Sequence, residues 1–323
     1  TLSNNNVTKT YDGATSAPTG FTPTWTYAGL VTGDTAASVA YARAVYDNAD
    51  VGTASKVTVS GLSLSGITGT KSSATTDYGL STSSRGVSAS ITEKPLTLSA
   101  IKVYDGTTSL TGSVTLGGME NSETLNYTGA TSNDSHVATA NKYISALTLA
   151  DGTGLASNYT LPALSYSAAN NNVSITAATL TPTLSNNNVT KTYDGATSAP
   201  KGFTPIWTYA GLATGDTAAS VAYTRAIYDN ADVGTASKVT VSGISLSTIT
   251  GSNSSALTDY ALSASSRDVP ASITTKTLTV SVSASKVYDG TTSLAGSVIL
   301  SGMLDGETLN YTGATSNDSH VAT

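Results

Sequence analysis

The chain carries the same short turn sequence four times, and this repetition constrains its fold more than any other feature. KVYDGTTSL occurs at 102–110 and unchanged at 286–294, and KTYDGATSAP occurs at 9–18 and at 191–200. Repeats of this kind indicate a modular array, in which each module contacts mainly its neighbours along the chain. The motif therefore predicts four modules.

The modules alternate between two types, here called A and B. Residues 1–92 match 183–274 at all but 14 positions, and residues 104–139 match 288–323 at all but 6. The predicted domains are an A module at 1–92 with an incomplete first strand, a B module at 93–176, a second A module at 177–274 and a truncated second B module at 275–323.

Both ends of the sequence fall inside a module. Thr1 aligns with Thr183, which lies within the alternating run AATLTPTLS at 177–185, and Thr323 aligns with Thr139. We expect the array to continue in both directions.

The composition excludes several classes of function. The 323 residues include 15 basic and 21 acidic side chains, giving a net charge of -6, and charged residues make up only 11% of the chain. Nucleic acids and anionic membranes require a basic surface, so neither is expected as a partner. The chain has no cysteine, which excludes disulfides and thiolate metal sites. No run approaches the roughly 20 apolar residues of a membrane helix, so no span is expected in this segment.

Apolar residues alternate with a period of two, which is typical of half-buried β-strands. Dense Asp-Gly and Gly-Asp turn signals separate the alternating runs. The Ala-rich stretch 35–49 and its copy 217–231 have helical composition, but their alternation favours strand. The pattern predicts an all-β fold, an elongated tandem array of small immunoglobulin-like β-sandwich modules. The alternating runs are Ser55–Leu64, Pro95–Leu98, Val114–Leu116, Leu278–Val282 and Val298–Leu300.

The repeated turn has an architectural interpretation. Its tyrosine ends a strand and anchors in the core, its aspartate bonds to the local backbone, and its glycine accepts the positive φ of the chain reversal. Four copies of a catalytic motif along one fibre would be much less usual. The structural turn residues are Tyr11, Asp12, Gly13, Tyr104, Asp105, Gly106, Tyr193, Asp194, Gly195, Tyr288, Asp289 and Gly290.

Further motifs follow the turn in a fixed order. They are KVYDGTT at 102–108, GLATGD at 211–216, YDNADVGT at 228–235, KVTVSG at 238–243, and SNYTL at 157–161 before a closing strand at 173–176. This ordered set resembles the YDG and MBG-type tandem repeats of large bacterial secreted or surface adhesins, including filamentous-haemagglutinin-like exoproteins, over essentially the whole chain. The A modules depart from that pattern by the insert Phe21–Trp25 and its copy Phe203–Trp207, which leaves open a specialised role for A.

The resemblance implies a function and a location. It implies a structural and adhesive segment of a very long extracellular bacterial fibre. The segment would act as a stalk and in cell–cell or cell–surface attachment, and the fibre would be secreted or held at the cell surface. It implies no catalytic residues, so no enzymatic activity is expected. The expected partners are neighbouring repeats of the same chain, and identical fibres and cell-surface or matrix polysaccharide are left open.

An alternative function is glycan binding by the aromatic stretch of the A modules. Trp25, Tyr27, Trp207 and Tyr209 stand next to Pro and Thr, where an exposed aromatic ring could stack on a sugar. A tryptophan that packs into the core, with its N–H satisfied, is the favoured reading.

Two sets of residues are weak candidates for a metal-binding site. Asp47, Asn48 and Asp50, with their copies at 229–232, form an oxygen-rich turn of the kind that holds calcium weakly in extracellular modules. The twelve-residue spacing of a known calcium loop is missing, so a solvated turn is favoured and no cofactor is expected. His136 and its copy His320 have no second His or Cys nearby, so no metal site is predicted.

Overall fold

β-Strands account for nearly all of the regular structure, as the period of two predicts. The computed structural model describes residues 1–166, 168–278 and 281–321, and no helix of seven or more residues occurs in these ranges. The chain divides into two units, Thr1–Ala177 and Ala178–Thr323, and each unit contains one A and one B segment. The prediction of an all-β fold built from repeated modules is confirmed. The division into four modules at the stated boundaries stays a prediction.

The A segment of the first unit has six strands. They are β1 (Val7–Thr10), β2 (Asp34–Ala40), β3 (Arg43–Tyr46), β4 (Lys56–Ser60), β5 (Ser63–Gly69) and β6 (Ser84–Thr92). The strands β1, β6, β4 and β3 form one sheet in that order, and β2 pairs with β5. β2–β3 and β4–β5 are the two arms of a long antiparallel hairpin that is interrupted at Gly61, where φ is +70°. β1 runs parallel to β6, with Val7 opposite Ala89.

The described residues of the B segment of the first unit form seven strands. They are β7 (Lys94–Pro95), β8 (Thr97–Val103), β9 (Val114–Gly117), β10 (Leu125–Ser132), β11 (Ile144–Asp151), β12 (Tyr159–Thr160) and β13 (Asn171–Thr176). β8 lies between β13, to which it is parallel, and β9, to which it is antiparallel. β7 pairs in parallel with β12, which follows the short 3-10 turn Ala156–Asn158, and β10 pairs with β11. Early and late strands of the segment are therefore neighbours, as in the A segment.

The A segment of the second unit repeats the main sheet of the first A segment. Its strands are β14 (Ala178–Leu184), β15 (Val189–Thr192), β16 (Trp207–Ala210), β17 (Asp216–Ala222), β18 (Arg225–Tyr228), β19 (Lys238–Ser242), β20 (Ser245–Gly251), β21 (Tyr260–Leu262), β22 (Ser266–Thr274), β23 (Ser281–Ala284) and β24 (Val298–Ser301). The main sheet has the order β15-β22-β19-β18, with β15 parallel to β22. β14 pairs with β16 and β21, β17 with β20, and β23 with β24. Short 3-10 turns lie at Thr75–Asp77 and Leu257–Asp259.

The alternating pattern identifies the buried face of the strands. Val57 and Val59 in β4 are both 0% exposed, and Val239 and Val241 in β19 are also 0% exposed. In the first unit, the buried cluster around Val57 also includes Tyr159 of the B segment. The hydrophobic core of the A segment therefore extends to residues of the B segment, Leu96 and Tyr159.

The remaining structural predictions have mixed outcomes. The strand assignment for 35–49 is confirmed, since β2 and β3 occupy that stretch. Two residues of the predicted run Leu278–Val282, at positions 279 and 280, lie outside the described residues. The strand β23 begins directly after them, at Ser281. Within the described ranges, the chain contains no helix whose length and apolar character would let it cross a membrane.

Candidate functional site

In each copy of the repeated turn, the aspartate closes the turn on its own backbone. Asp12 Oδ1 accepts the N–H of Ala14 at 3.0 Å, and Asp105 Oδ1 accepts the N–H of Thr107 at 2.9 Å. Gly13 has a φ of +68°, in the left-handed region where other residues are strained. The Asp-Gly pair is therefore required by the backbone conformation of the turn.

The lysine two residues before the tyrosine is buried beneath the turn. Lys102 Nζ donates to Asp105 Oδ1 at 2.6 Å and to the backbone oxygens of Thr107 and Ser109 at 2.7 and 2.9 Å. The ammonium group has three donors, so these acceptors compensate a charge on a side chain that is only 6% exposed. Sequence reasoning missed this role. The same set of contacts is made by Lys9, Lys191 and Lys286.

The tyrosine of the A turn connects the A segment to the B segment of the same unit. Tyr11 is 4% exposed, and its hydroxyl donates to Glu123 Oε1 at 2.7 Å. Burial, together with this hydrogen bond to a carboxylate, raises the pKa of Tyr11, so the hydroxyl remains a donor at neutral pH. In the second unit, Tyr193 makes the equivalent hydrogen bond to Glu307 Oε1 at 2.5 Å.

A second tyrosine, Tyr159 of β12, completes the contact in the first unit. Its ring lies edge-on to Tyr11, with 5.3 Å between the ring centroids. Its hydroxyl donates to Glu123 Oε2 at 2.6 Å and accepts the N–H of Glu120 at 2.9 Å. Burial raises the pKa of Tyr159 to about 12. One carboxylate therefore holds a tyrosine from each segment.

Asn158, beside this tyrosine, attaches the B segment to the tip of the A hairpin. Its side chain is 1% exposed. Its Oδ1 accepts the N–H of Val51 at 2.8 Å, and its Nδ2 donates to Asp50 Oδ1 at 2.8 Å. Asn158 and Tyr159 belong to the SNYTL motif at 157–161, and the sequence did not predict this contact. The two contacts join positions 107 and 108 residues apart, so no local pattern indicates them.

The tyrosine of each B turn stacks on one of the two histidines of the chain. Tyr104 is 3% exposed and stacks on His136 with ring centroids 6.1 Å apart, whereas Tyr288 is 55% exposed and stacks on His320 at 6.2 Å. Within residues 1–166, 168–278 and 281–321, no group of three or more His, Asp or Glu residues is placed to hold a metal ion.

The aromatic stretch of the A segments lies half-buried beside the core. Trp25 packs against the core of the first unit, and Trp207 packs against the core of the second. Tyr27 and Trp25 line a crevice of about 70 Å³, which is small beside the ~300 Å³ at the lower end of ligand pockets. Burial raises the pKa of Tyr27 and of Tyr209. A ligand contact at these four residues stays a prediction.

The acidic turn joins the two arms of the A hairpin. Asp47 accepts the N–H groups of Ser55 and Lys56 at 3.0 and 3.1 Å on Oδ1 and the Ser55 hydroxyl at 2.7 Å on Oδ2. Asn48 Oδ1 accepts the N–H of Asp50 at 2.9 Å. The side-chain oxygens of Asp47 and Asn48 are thus engaged by local donors, which is the arrangement of a hydrogen-bonded turn.

The acidic turn predicts a pH dependence of stability. Hydrogen bonds from the Ser55 hydroxyl and the backbone lower the pKa of Asp47 from 3.8 to about 2, and those from Ser237 do the same for Asp229. Because the folded pKa is depressed, the stabilisation is complete above pH ~4 and is lost as the pH falls towards 2. We expect the double variant Asp47→Asn, Asp229→Asn to have a flatter dependence of its thermal midpoint on pH between 4 and 2. Circular dichroism melts at several pH values measure this, and parallel curves for the variant and the parent would contradict it.

The fold and the turn together define a class of protein, an all-β chain of repeated modules that carries the same Tyr-Asp-Gly turn four times. The model of the YDG domain matches residues 1–84, 92–170 and 176–267. The chain belongs to the YDG domain family, in three matched copies that cover most of its length. No curated protein sequence and no solved structure matches the chain.

Proposed function

We propose that this chain is a load-bearing segment of a very long extracellular bacterial fibre, secreted or held at the cell surface. It acts as a stalk and serves cell–cell or cell–surface attachment by holding an attachment surface away from the cell. The proposal is supported by the tandem YDG domains and by the parallel pairing of strands in both A segments and in the first B segment. A surface with few charges and many short polar side chains suits an extended soluble fibre.

The observation that carries the proposal is the parallel pairing of early and late strands. β1 lies parallel to β6, β8 to β13, and β15 to β22. Tension pulls the first strand towards its amino end and the last strand towards its carboxyl end. In a parallel pair these two pulls are opposed along the strand axis, so they load all the ladder hydrogen bonds together in shear. Antiparallel terminal strands would instead separate one bond at a time.

The contact between the A and B segments supports the same function. Tyr11 and Tyr159 share Glu123, and Asn158 bonds to Asp50 at the hairpin tip. These contacts and the linker together restrict bending between the segments of the first unit more than the linker alone would. A stalk requires such resistance to bending.

We also propose that the segment is not an enzyme. Its two histidines stack on tyrosines, and the aspartates of the turns are engaged by lysine or backbone donors. The glycan-binding alternative stays a prediction for Trp25, Tyr27, Trp207 and Tyr209, because no observation favours it over the stalk.

Pulling the whole chain from its two ends tests the proposal. We expect discrete unfolding steps, each lengthening the chain by roughly 300 Å for the ~86 residues between the start of β1 and the end of β6. The chain lacks cysteine, so the double variant Thr8→Cys, Ser90→Cys introduces one disulfide between residues that face each other across β1 and β6. Oxidation should remove one step, and reduction should restore it.

Two results would overturn the stalk function. One is extension at low force without discrete steps, which would mean that the parallel ladders carry no load. The other is an oxidised variant that shows as many unfolding steps as the reduced one. That result would mean that separation of β1 from β6 does not produce one of the unfolding steps.

A further inference from the structure

Each A segment carries a two-stranded hairpin whose outer edges are unpaired. β2 pairs with β5 in the first unit and β17 pairs with β20 in the second, and no further strand of the described ranges joins either pair. The A segment of the second unit also contains β14, β16 and β21, and none of these three strands pairs with the hairpin. The unpaired edge is therefore a property of the A module in both units.

Of the two outer edges of the hairpin, that of β2 is the regular one. Thr35 and Ser65 have no partner in the ladder, and each forms an irregularity of the bulge type. Ser65 interrupts β5 in its middle, whereas β2 runs without interruption from Ala36 to Ala40. The hairpin of the second unit has the same register, with β20 interrupted at Ser247. A regular open edge is a template for an added strand.

The edge of β2 lacks the features that usually block strand addition. No charged residue and no proline occurs at positions 35–42 or at positions 217–224. The carboxylate at the start of β2, that of Asp34, belongs to a residue that is only 9% exposed. It accepts the hydroxyls of Ser73 and Tyr78 at 2.7 and 2.6 Å. The charge of Asp34 is thus engaged inside the segment and does not protect the edge.

The main sheet of the same segment has edges that are covered or short. The chain that precedes β2 covers β3, where the N–H of Ala17 donates to the backbone oxygen of Ala44 at 3.0 Å. The N–H of Tyr46 donates to the backbone oxygen of Thr15 at 2.6 Å. β1, at the other edge of the sheet, has only four residues. The open edge of β2 therefore differs from the way the rest of the segment treats its edges.

The side chains of β2 suit a second copy of the same strand. Ala36, Ser38 and Ala40 are exposed on one face. Ala37 and Val39, on the other face, are half-buried. The regular stretch is centred on Ser38, so an antiparallel pair of these strands places Ser38 opposite Ser38 of the second copy and Ala36 opposite Ala40. Small side chains then meet small side chains and no charges meet, and the two hairpins form a four-stranded sheet, which is more stable than a two-stranded ribbon.

The chain carries this edge twice, which favours a second copy of the chain as the partner. β2 and β17 have the same sequence, DTAASVA, 182 residues apart, whereas their partner strands differ at Gly66 and Thr248. Two copies of the chain present their edges at the same spacing, so a first pairing raises the effective concentration of the second pair. A partner without this repeat would gain from one edge only.

We propose that β2 and β17 of one chain pair antiparallel with the same strands of a second chain, so that two copies join at the hairpins of their A modules. The inference goes beyond the stalk function and does not depend on it, since it concerns only the association of chains in solution.

Sedimentation of the full chain over a range of concentrations tests the pairing. We expect self-association that increases with concentration. The double variant Ser38→Lys, Ser220→Lys should weaken it at least about tenfold, because like charges then lie opposite each other in both strand pairs. Both serines are exposed, so the fold should tolerate the change. The matched control Ser65→Lys, Ser247→Lys adds the same charge at exposed positions of β5 and β20 and should leave the association unchanged.

A cysteine variant locates the contact. The chain has no cysteine, so Ser38→Cys, Ser220→Cys introduces thiols only at the centres of the two edges. Directly opposite residues of antiparallel strands have Cα atoms about 5 Å apart, within the range that a disulfide spans. Oxidised glutathione should convert two thiols of different chains into one disulfide while it is reduced to two glutathione thiols. The control Ser65→Cys, Ser247→Cys should stay unlinked, as non-reducing electrophoresis measures.

Four results would overturn the proposal. They are a chain that stays monomeric at every concentration, equal weakening by the two lysine variants, equal cross-linking of the two cysteine variants, and cross-linking within single chains only. The last result would mean that β2 and β17 of one chain pair with each other.

Discussion

Replacing Lys102 by methionine should lower the free energy of unfolding of the first B segment by about 3 kcal/mol. Methionine keeps most of the volume of the side chain but supplies no donor. The backbone oxygens of Thr107 and Ser109 then lose their partner, and the carboxylate of Asp105 loses its counterion. Native-state hydrogen exchange at the amides of β8 and β13 measures this change segment by segment.

Two control variants separate the buried lysine from an ordinary ion pair. Asp105→Asn removes the charge of a carboxylate that is 54% exposed, and should cost less than about 1 kcal/mol. Lys286→Met changes the equivalent lysine, whose side chain is 17% exposed, and should cost less than Lys102→Met. If Lys102→Met is no more harmful than Asp105→Asn, the ammonium group does not anchor the turn.

The second large effect is expected for Tyr159→Ala, which should destabilise the first unit by about 3 to 5 kcal/mol. The substitution removes a ring that is 4% exposed and leaves a cavity between Tyr11 and Glu123. It also leaves the N–H of Glu120 without its acceptor. Hydrogen exchange should accelerate in β1 and β12 together, because both segments lose the shared contact.

Tyr159→Phe is the matched control for this effect. It keeps the ring and removes only the hydroxyl, so the expected cost is about 1 to 2 kcal/mol. Equal effects of the two substitutions would mean that the ring contributes no packing energy between the segments. Acceleration confined to β12 would mean that the A segment does not depend on Tyr159.

Much of the fold could be predicted from the sequence because strand alternation is a local signal. The pattern around Val57 and Val59 identified a buried face, and both side chains are fully buried. Alternation does not specify which strand lies beside which, so the parallel pairing of β1 with β6 was not predicted. That pairing depends on residues more than 80 positions apart.

Less of the candidate site than of the fold could be predicted from the sequence. The Asp-Gly turn could be interpreted from local backbone chemistry. The lysine of the same motif could not, because a lysine three residues before an aspartate is usually a solvated pair, and its burial depends on carbonyl groups five and seven residues away. The contact of Tyr11 with Glu123 joins residues 112 positions apart, and no local pattern indicates it.

A module whose first strand pairs with its last cannot complete its sheet until all of it has left the ribosome. The sequence of β1, VTKT, is identical to that of β15, so each has two potential partners, β6 and β22. β22 follows β6 by 182 residues, the spacing between the two A copies, or roughly 10 to 40 s of synthesis at 5 to 20 residues per second. This delay lets β1 and β6 close their sheet before β22 exists, and so protects the first A module from exchanging strands with the second while the chain is made.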